Sequence, residues 1–205
     1  RTYAEAAYIG TDVDEAGVTA AATAHGWSRA DGDDLANAAR LLLDDAPVGL
    51  CVGRSEAGPR ALGHRSILAN PASPSAWAAT NGLKRREPWR PFAPAILLER
   101  SSDYFDRGPD ESRYMLFTYR TNGKALPAVT HYDHSSRVQH VSPETGRLYD
   151  LLKTLEAMGA PPVVLNTSFN GPGTPIVDTA EDAFREAGVL GLNHILTDYG
   201  LFSRS

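Results

Sequence analysis

Between Arg54 and Arg90 the chain carries seven cations, Arg54, Arg60, Arg65, Lys84, Arg85, Arg86 and Arg90, interleaved with Gly58, Pro59, Gly63, Pro88 and Pro91. A helix surface is not built this way. Glycine lets backbone N–H groups approach an anion closely, and arginine presents a planar fork that matches phosphate or carboxylate oxygens two at a time. Glu56, Glu87 and Glu99 can neutralise individual members as solvated ion pairs. The cluster as a whole, centred on the run Gly58-Pro59-Arg60-Ala61-Leu62-Gly63-His64-Arg65-Ser66, points to phosphate or carboxylate recognition.

A second segment, Asn166-Thr167-Ser168-Phe169-Asn170-Gly171, places four hydrogen-bonding side chains and a glycine where an apolar run ends. Ligands of α/β sheets bind at such strand ends. These side chains can grip phosphate oxygens, an amide or a ribose; equally, they can cap backbone groups in a turn. His131-Tyr132-Asp133-His134 offers metal-ligand residue types at short spacing without an obvious third ligand, so no protein-held metal is expected. Arg137, just beyond it, is assigned to the anion site. Covalent catalysis is not favoured: Ser168 lacks a Gly-x-Ser-x-Gly context and Cys51 sits in an apolar run.

Several elements must position these groups. Leu35, Ala38, Ala39 and Leu42 have the spacing of an amphipathic helix that Asp33 or Asp34 can cap. The apolar run 48–52 reads as a buried strand that breaks at Gly53 and feeds the cationic loop. Ser73-Pro74 reads as an N-cap followed by a first-turn proline, opening a helix through Asn81 that ends near Gly82. Residues 95–98 and 114–119 read as strands, rich in aliphatic and aromatic side chains. Residues 137–141 alternate as a half-buried strand, and 143–158 carry Leu148, Leu151, Leu152 and Leu155 at helical spacing. Residues 162–165 form a strand running into Asn166, Thr179 to Asp182 open another helix, and 194–197 form the last strand. The sum is a mixed α/β domain.

With 205 residues and 42% apolar content the chain can bury one sizeable core. Its net charge of −5 does not attract nucleic acid as a whole, so the anion site is local. One cysteine excludes an intrachain disulfide. No run approaches the roughly 20 apolar residues of a membrane span, and a cytoplasmic home without a membrane partner is expected. The opening Arg1-Thr2-Tyr3, with no initiator methionine, reads as a fragment.

Three stretches together resemble a known family: residues 53–68; Lys84-Arg85-Arg86-Glu87-Pro88-Trp89-Arg90-Pro91-Phe92-Ala93-Pro94; and, in order, Pro127-Ala128-Val129-Thr130-His131, Arg137-Val138-Gln139 and 164–170. They resemble the C-terminal domain of NodU/CmcH-type O-carbamoyltransferases over roughly residues 35 to 199, a match far more specific than a lone glycine loop. The resemblance implies a YrdC-like fold, an α+β mixed sheet with a concave, cation-lined anion site, over residues 35–205; residues 1–34 read as an N-terminal entry or linker segment with a short helical pattern between Thr11 and Trp27. It implies a Kae1-like domain, absent from this chain, as partner in cis or as a separate chain. The YrdC-like half would turn carbamoyl phosphate and ATP, with Mg²⁺, into carbamoyl adenylate; the partner would pass the carbamoyl group to a hydroxyl acceptor, as in antibiotic biosynthesis. Carried over by motif, Lys84, Arg60 and Arg90 would be catalytic, and Arg137, Ser168, Asn170, Asn166, Thr167 and Arg65 would bind substrate and nucleotide. Ser55, Ala57 and residues 133–136 depart from the family pattern in loops beside the site and leave the cations intact. The alternative is a non-catalytic YrdC-like RNA-binding module, against which the net charge and the lack of aromatics interleaved with the cations as a stacking platform both argue.

Overall fold

The computed structural model describes residues 7–87, 89–123 and 126–204. Five helices form where the sequence supplies start signals and an apolar stripe. Asp14 caps α1 (Glu15–Ala24) by accepting from the Gly17 amide at 2.7 Å, and Asp33 caps α2 (Asp34–Leu43) through the Ala36 amide at 3.0 Å. Ser73 caps α3 (Pro74–Lys84), with proline in its first turn. α4 (Arg147–Ala157) follows a short 3-10 turn, Pro143–Thr145. α5 (Ala180–Leu190) opens on a reciprocal Thr179–Asp182 capping box and stops at Gly191, which takes the left-handed conformation with φ 75°.

Eleven strands are described: β1 (Ser28–Arg29), β2 (Val48–Cys51), β3 (Arg65–Ala69), β4 (Ala93–Leu97), β5 (Phe105–Asp106), β6 (Tyr119–Thr121), β7 (Ser135–Ser136), β8 (Gln139–Val141), β9 (Val163–Ser168), β10 (His194–Thr197) and β11 (Gly200–Ser203). Eight make one mixed sheet in the order β1-β11-β10-β2-β3-β9-β4-β8, and β5-β6-β7 make a small second sheet. The pairs β10–β2 and β4–β8 are parallel and the rest antiparallel.

The main sheet is buried on both faces, and strand alternation decides which side chain goes where. Val48, Leu50, Leu68, Val164, Leu196 and Leu201 face α2 and α4, meeting Leu42, Leu148, Leu151 and Leu155. Cys51, Ile67, Ile195 and Phe202 face α1 and α5 on the opposite side. Further along that side, Val163, Leu165 and Ile96 pack with Phe92, Phe105 and Tyr119 beneath the small sheet. A Cβ on Gly49 would lie 2.8 Å from the Phe169 ring, so this strand position admits Phe169 only as glycine.

The structure departs from the sequence expectations in definite ways. Residues 114–119 do not form a strand: Met115 is left-handed with φ 53°, which breaks the extended chain, and only Tyr119 enters β6. Leu116 and Phe117 consequently face solvent. α3 runs past Gly82 to Lys84 and ends on left-handed Arg85 (φ 42°). β1, β3, β5, β7 and β11 lie outside the strands that the sequence pattern predicts. Within the segment expected to be a linker, α1 packs on α5 through Val18, Ala21 and Ala22, Trp27 meets Phe184 edge-on at 5.5 Å, and β1 extends the sheet beside β11. Among the described residues no helix is long and apolar enough to cross a membrane.

Candidate anion site

The loop between β2 and β3 is organised around a carboxylate. Glu56 Oε1 accepts from the backbone N–H groups of Leu62, His64 and Arg65 at 2.6, 2.8 and 3.2 Å, so this residue holds the loop rather than neutralising one of the cations. Gly63 has φ 96°, and a Cβ there would lie 2.4 Å from Leu148, so the loop crosses α4 only as glycine. Tyr8 stacks on His64 with ring centroids 3.9 Å apart and donates to the Leu62 carbonyl at 3.0 Å.

Arg65 corrects an expectation. It is fully buried, and its guanidinium donates to the carbonyl oxygens of Asp178 (2.9 Å), Val52 (2.6 Å), His64 (3.2 Å), Thr11 (2.9 Å) and Gly53 (3.1 Å). Every guanidinium nitrogen is committed to backbone, which leaves this arginine no donor for a substrate. It ties the residues before α1 and the loop before α5 to β3.

The other cations converge. A cavity of about 450 Å³ is lined by Pro59, Arg60 and Ala61 of the loop; by Arg86, Arg90 and Phe92 before β4; by His131 and Arg137; and by Asn166, Thr167 and Ser168 of β9. Among the described residues four arginines line it and no carboxylate does. Burial and then its neighbour Arg60 lower the pKa of Arg137, while burial and then Arg90 lower that of Arg86. Positive charge is thus concentrated at this cavity. The Nε atoms of Arg86 and Arg137 are buried without a protein partner. Arg86, a member of the cation cluster outside the expected site residues, joins the lining; its guanidinium lies 5.1 Å over the Phe92 ring and donates to the Pro91 carbonyl at 3.2 Å. Arg90 is exposed at the rim with Glu87 at 3.7 Å.

Lys84 does not line the cavity. Its ammonium donates to the Ser168 carbonyl (2.7 Å), the Asn170 carbonyl (2.6 Å) and Asn170 Oδ1 (2.7 Å), behind the cavity wall. Burial first, then Arg86 and Arg90, push its pKa down to about 8, while Glu186 opposes them. Asn170 stands behind the wall too: Oδ1 also accepts from Ser168 Oγ at 2.7 Å and Nδ2 donates to the Thr174 carbonyl at 2.7 Å. Asn166 lies on β9 between β3 and β4; its Nδ2 donates to Gln139 Oε1 at 2.8 Å, and Gln139 Nε2 donates to the Leu62 carbonyl at 2.6 Å. Asn166 Oδ1 is buried without a partner.

The site residues expected from sequence therefore divide. Arg60, Arg90, Arg137, Asn166, Thr167 and Ser168 meet in one cavity, Lys84 and Asn170 support its wall, and Arg65 lies elsewhere. Among the described residues no group of three or more His, Cys, Asp or Glu is placed to hold a metal ion. His131 instead contacts Ser135 Oγ at 3.2 Å, and burial lowers its pKa, so its ring is neutral at pH 7. Cys51 is fully buried and its thiol is pushed up to about 11, chiefly by burial, which removes it as a thiolate nucleophile.

The fold is a mixed α/β domain of YrdC-like type, and it carries a cavity lined by arginines. Residues 39–204 match the family described as "Carbamoyltransferase C-terminus", and the chain belongs to that family. It is 42% identical over 160 residues to nodulation protein NolO of Bradyrhizobium diazoefficiens, covering 74% of this chain and 29% of the relative. It is 38% identical over 162 residues to nodulation protein U of Sinorhizobium fredii, covering 77% and 29%. The chain thus spans less than a third of the length of these curated relatives. Among solved structures it is similar to full-length HypF in a phosphate- and nucleotide-bound form (TM-score 0.58, 18% identity, 77% of this chain and 24% of that one). It is likewise similar to Pyrococcus abyssi Sua5 complexed with L-threonine (TM-score 0.60, 15% identity, 84% and 49%). These two likenesses establish the expected fold.

Proposed function

We propose that the cavity binds carbamoyl phosphate and ATP and joins them as carbamoyl adenylate for O-carbamoylation of a hydroxyl acceptor. The observation that carries this reading is the convergence of four arginines, with no carboxylate among the described residues lining the cavity, on the end of β9 in a chain of the carbamoyltransferase family. Water cleaves carbamoyl phosphate to carbamate and phosphate. The carbamate oxygen then attacks the α-phosphorus of ATP, and pyrophosphate leaves. The second step brings two anions together, and Arg60, Arg86, Arg90 and Arg137 offset their repulsion and hold them in reach. Ser168 and Thr167 orient the carbamoyl or nucleotide group. Lys84 acts through Ser168 and Asn170, as a positioning residue. Mg²⁺ fits as an ion carried by the substrate phosphates, since among the described residues no carboxylate lines the cavity. A Kae1-like domain, in cis or as a separate chain, would carry out the transfer in the cytoplasm, with a natural product such as an antibiotic as acceptor.

The test is ATP–pyrophosphate exchange that depends on carbamoyl phosphate, with direct binding by calorimetry beside it. Exchange that is lost in Arg137→Ala supports the proposal. Failure to bind carbamoyl phosphate at millimolar concentration, together with absent exchange, overturns it.

One observation favours a second reading, a non-catalytic RNA-binding module. An open groove lined by Trp77, Trp89 and Tyr132 shares Arg90, Pro91 and His131 with the cavity, and both Trp89 and Tyr132 are exposed. Aromatics beside cations can stack bases. Salt-dependent RNA binding that Trp89→Ala abolishes would favour that module; the net charge of −5 opposes it.

A further inference from the structure

We infer that Asn166 is an acceptor through which the cavity recognises an N–H donor on its ligand, and that Gln139, outside the cavity lining, fixes the orientation of Asn166. The inference rests on the carbamoyl phosphate reading and assigns the group that distinguishes the carbamoyl amide.

A side-chain amide can be turned either way, and what settles it is a chain of bonds that begins on a group able only to accept. Here that group is the Leu62 carbonyl. Gln139 Nε2 donates to it at 2.6 Å, which turns Gln139 Oε1 the other way. That oxygen accepts from Asn166 Nδ2 at 2.8 Å, and the same nitrogen lies 3.4 Å from the Ala61 carbonyl as a further donor contact. Rotating the Asn166 amide would set its oxygen against two other oxygens. Its backbone cannot yield either, because β9 is paired on both sides, Asn166 with Leu68 of β3 and with Ala93 of β4.

Asn166 Oδ1 is left as a buried acceptor with no protein partner in a residue that is 2% exposed and lines the cavity. Unmet buried acceptors are uncommon in folded proteins and weigh against the state that contains them by a factor of roughly 5 to 100. The remaining charged lining consists of arginine donors. A ligand that offers acceptors alone, such as the acetyl phosphate dianion, satisfies the arginines and leaves Oδ1 unmet. A ligand joining an anionic end to an –NH₂ satisfies both. Carbamoyl phosphate has that form, and acetyl phosphate, with methyl in place of the amide nitrogen, does not.

Calorimetric titration of the chain with inorganic phosphate, acetyl phosphate and carbamoyl phosphate separates the possibilities. The wild type is expected to bind carbamoyl phosphate about tenfold or more tighter than acetyl phosphate. Gln139→Leu removes the acceptor that holds Asn166, so the preference falls to within about twofold while affinity for inorganic phosphate is retained. Gln139→Glu, kept protonated by burial, can donate to Leu62 and accept from Asn166, and restores the preference. A wild type that binds phosphate but treats the two acyl phosphates alike overturns the inference, as does undiminished preference in Gln139→Leu. If that variant does not fold, the wild-type comparison decides alone. A chain that binds none of the three ligands refutes the carbamoyl phosphate reading itself.

Discussion

Lys84 Nζ lies 2.7 Å from the Ser168 carbonyl oxygen and 2.6 Å from that of Asn170, so the last turn of α3 is stitched to the loop that leaves β9. With Asn170 Oδ1 at 2.7 Å as a third short acceptor, the ammonium has a partner for each of its protons. Lys84→Met leaves these acceptors unmet and is expected to lower unfolding stability by about 2–3 kcal/mol, read from denaturant midpoints. Binding at Ser168 should weaken with it. A variant with the wild-type midpoint would show that the loop holds itself.

The same lysine gives stability a pH dependence. Its folded pKa of about 8 lies below the ordinary 10.5 because burial disfavours the charge. Between those values the unfolded chain holds a proton that the folded chain has released, so this group makes stability rise with pH across that window. Below pH 8 both states are protonated and the burial penalty is fully present. Midpoints measured through the window should rise less steeply in Lys84→Met than in wild type. An equal slope in both would mean that Lys84 keeps its proton on the carbonyls.

Arg137 should show opposite effects on binding and on stability. Its guanidinium is half-buried near Arg60, and its Nε has no protein partner, so without an anion it contributes desolvation and repulsion. With an anion it contributes charge-assisted hydrogen bonds of roughly 1.5–3 kcal/mol. Arg137→Ala is therefore expected to weaken phosphate binding by roughly 10- to 100-fold while the unliganded chain unfolds no more easily than wild type. Arg137→Lys should recover only part of the affinity, since an ammonium lacks the planar fork. Equal phosphate affinity in wild type and Arg137→Ala would remove Arg137 from the site.

What the sequence made legible was local. Asp33, Ser73-Pro74 and Thr179 through Asp182 are start signals that act within one turn, and α2, α3 and α5 begin where they stand. The apolar run into Asn166 foretold β9 and the cavity at its end. Whether an arginine faces a ligand or a carbonyl is not local. Arg60 and Arg65 occur five residues apart in one motif, yet Arg65 pairs with Cys51 in β3 and is enclosed by segments contributed from Thr11 and Asp178. Residues 114–119 differ for a related reason: their composition favours a strand, but Met115 takes the left-handed conformation and packs with Leu62 and Ala93, which are distant in sequence.

Arg65 allows the division between structural and binding arginines to be tested directly. Its five donor contacts reach carbonyls of Thr11, Val52, Gly53, His64 and Asp178, so it joins the residues before α1, the β2 end and the loop before α5 at one point. Arg65→Met fills similar space without donors and orphans several buried carbonyls at about 1–3 kcal/mol each, partly offset where water enters. A loss of about 3–5 kcal/mol in unfolding stability is expected, large among single substitutions. Arg65→Lys should recover little, because one ammonium cannot reach carbonyls spread around a planar fork. Where the folded fraction is retained, at low temperature or with a stabilising osmolyte, phosphate affinity per folded molecule should stay within about twofold of wild type, since Arg65 does not line the cavity. Calorimetry on the folded fraction decides it: a tenfold loss of affinity there, of about 1.4 kcal/mol, would return Arg65 to the binding site.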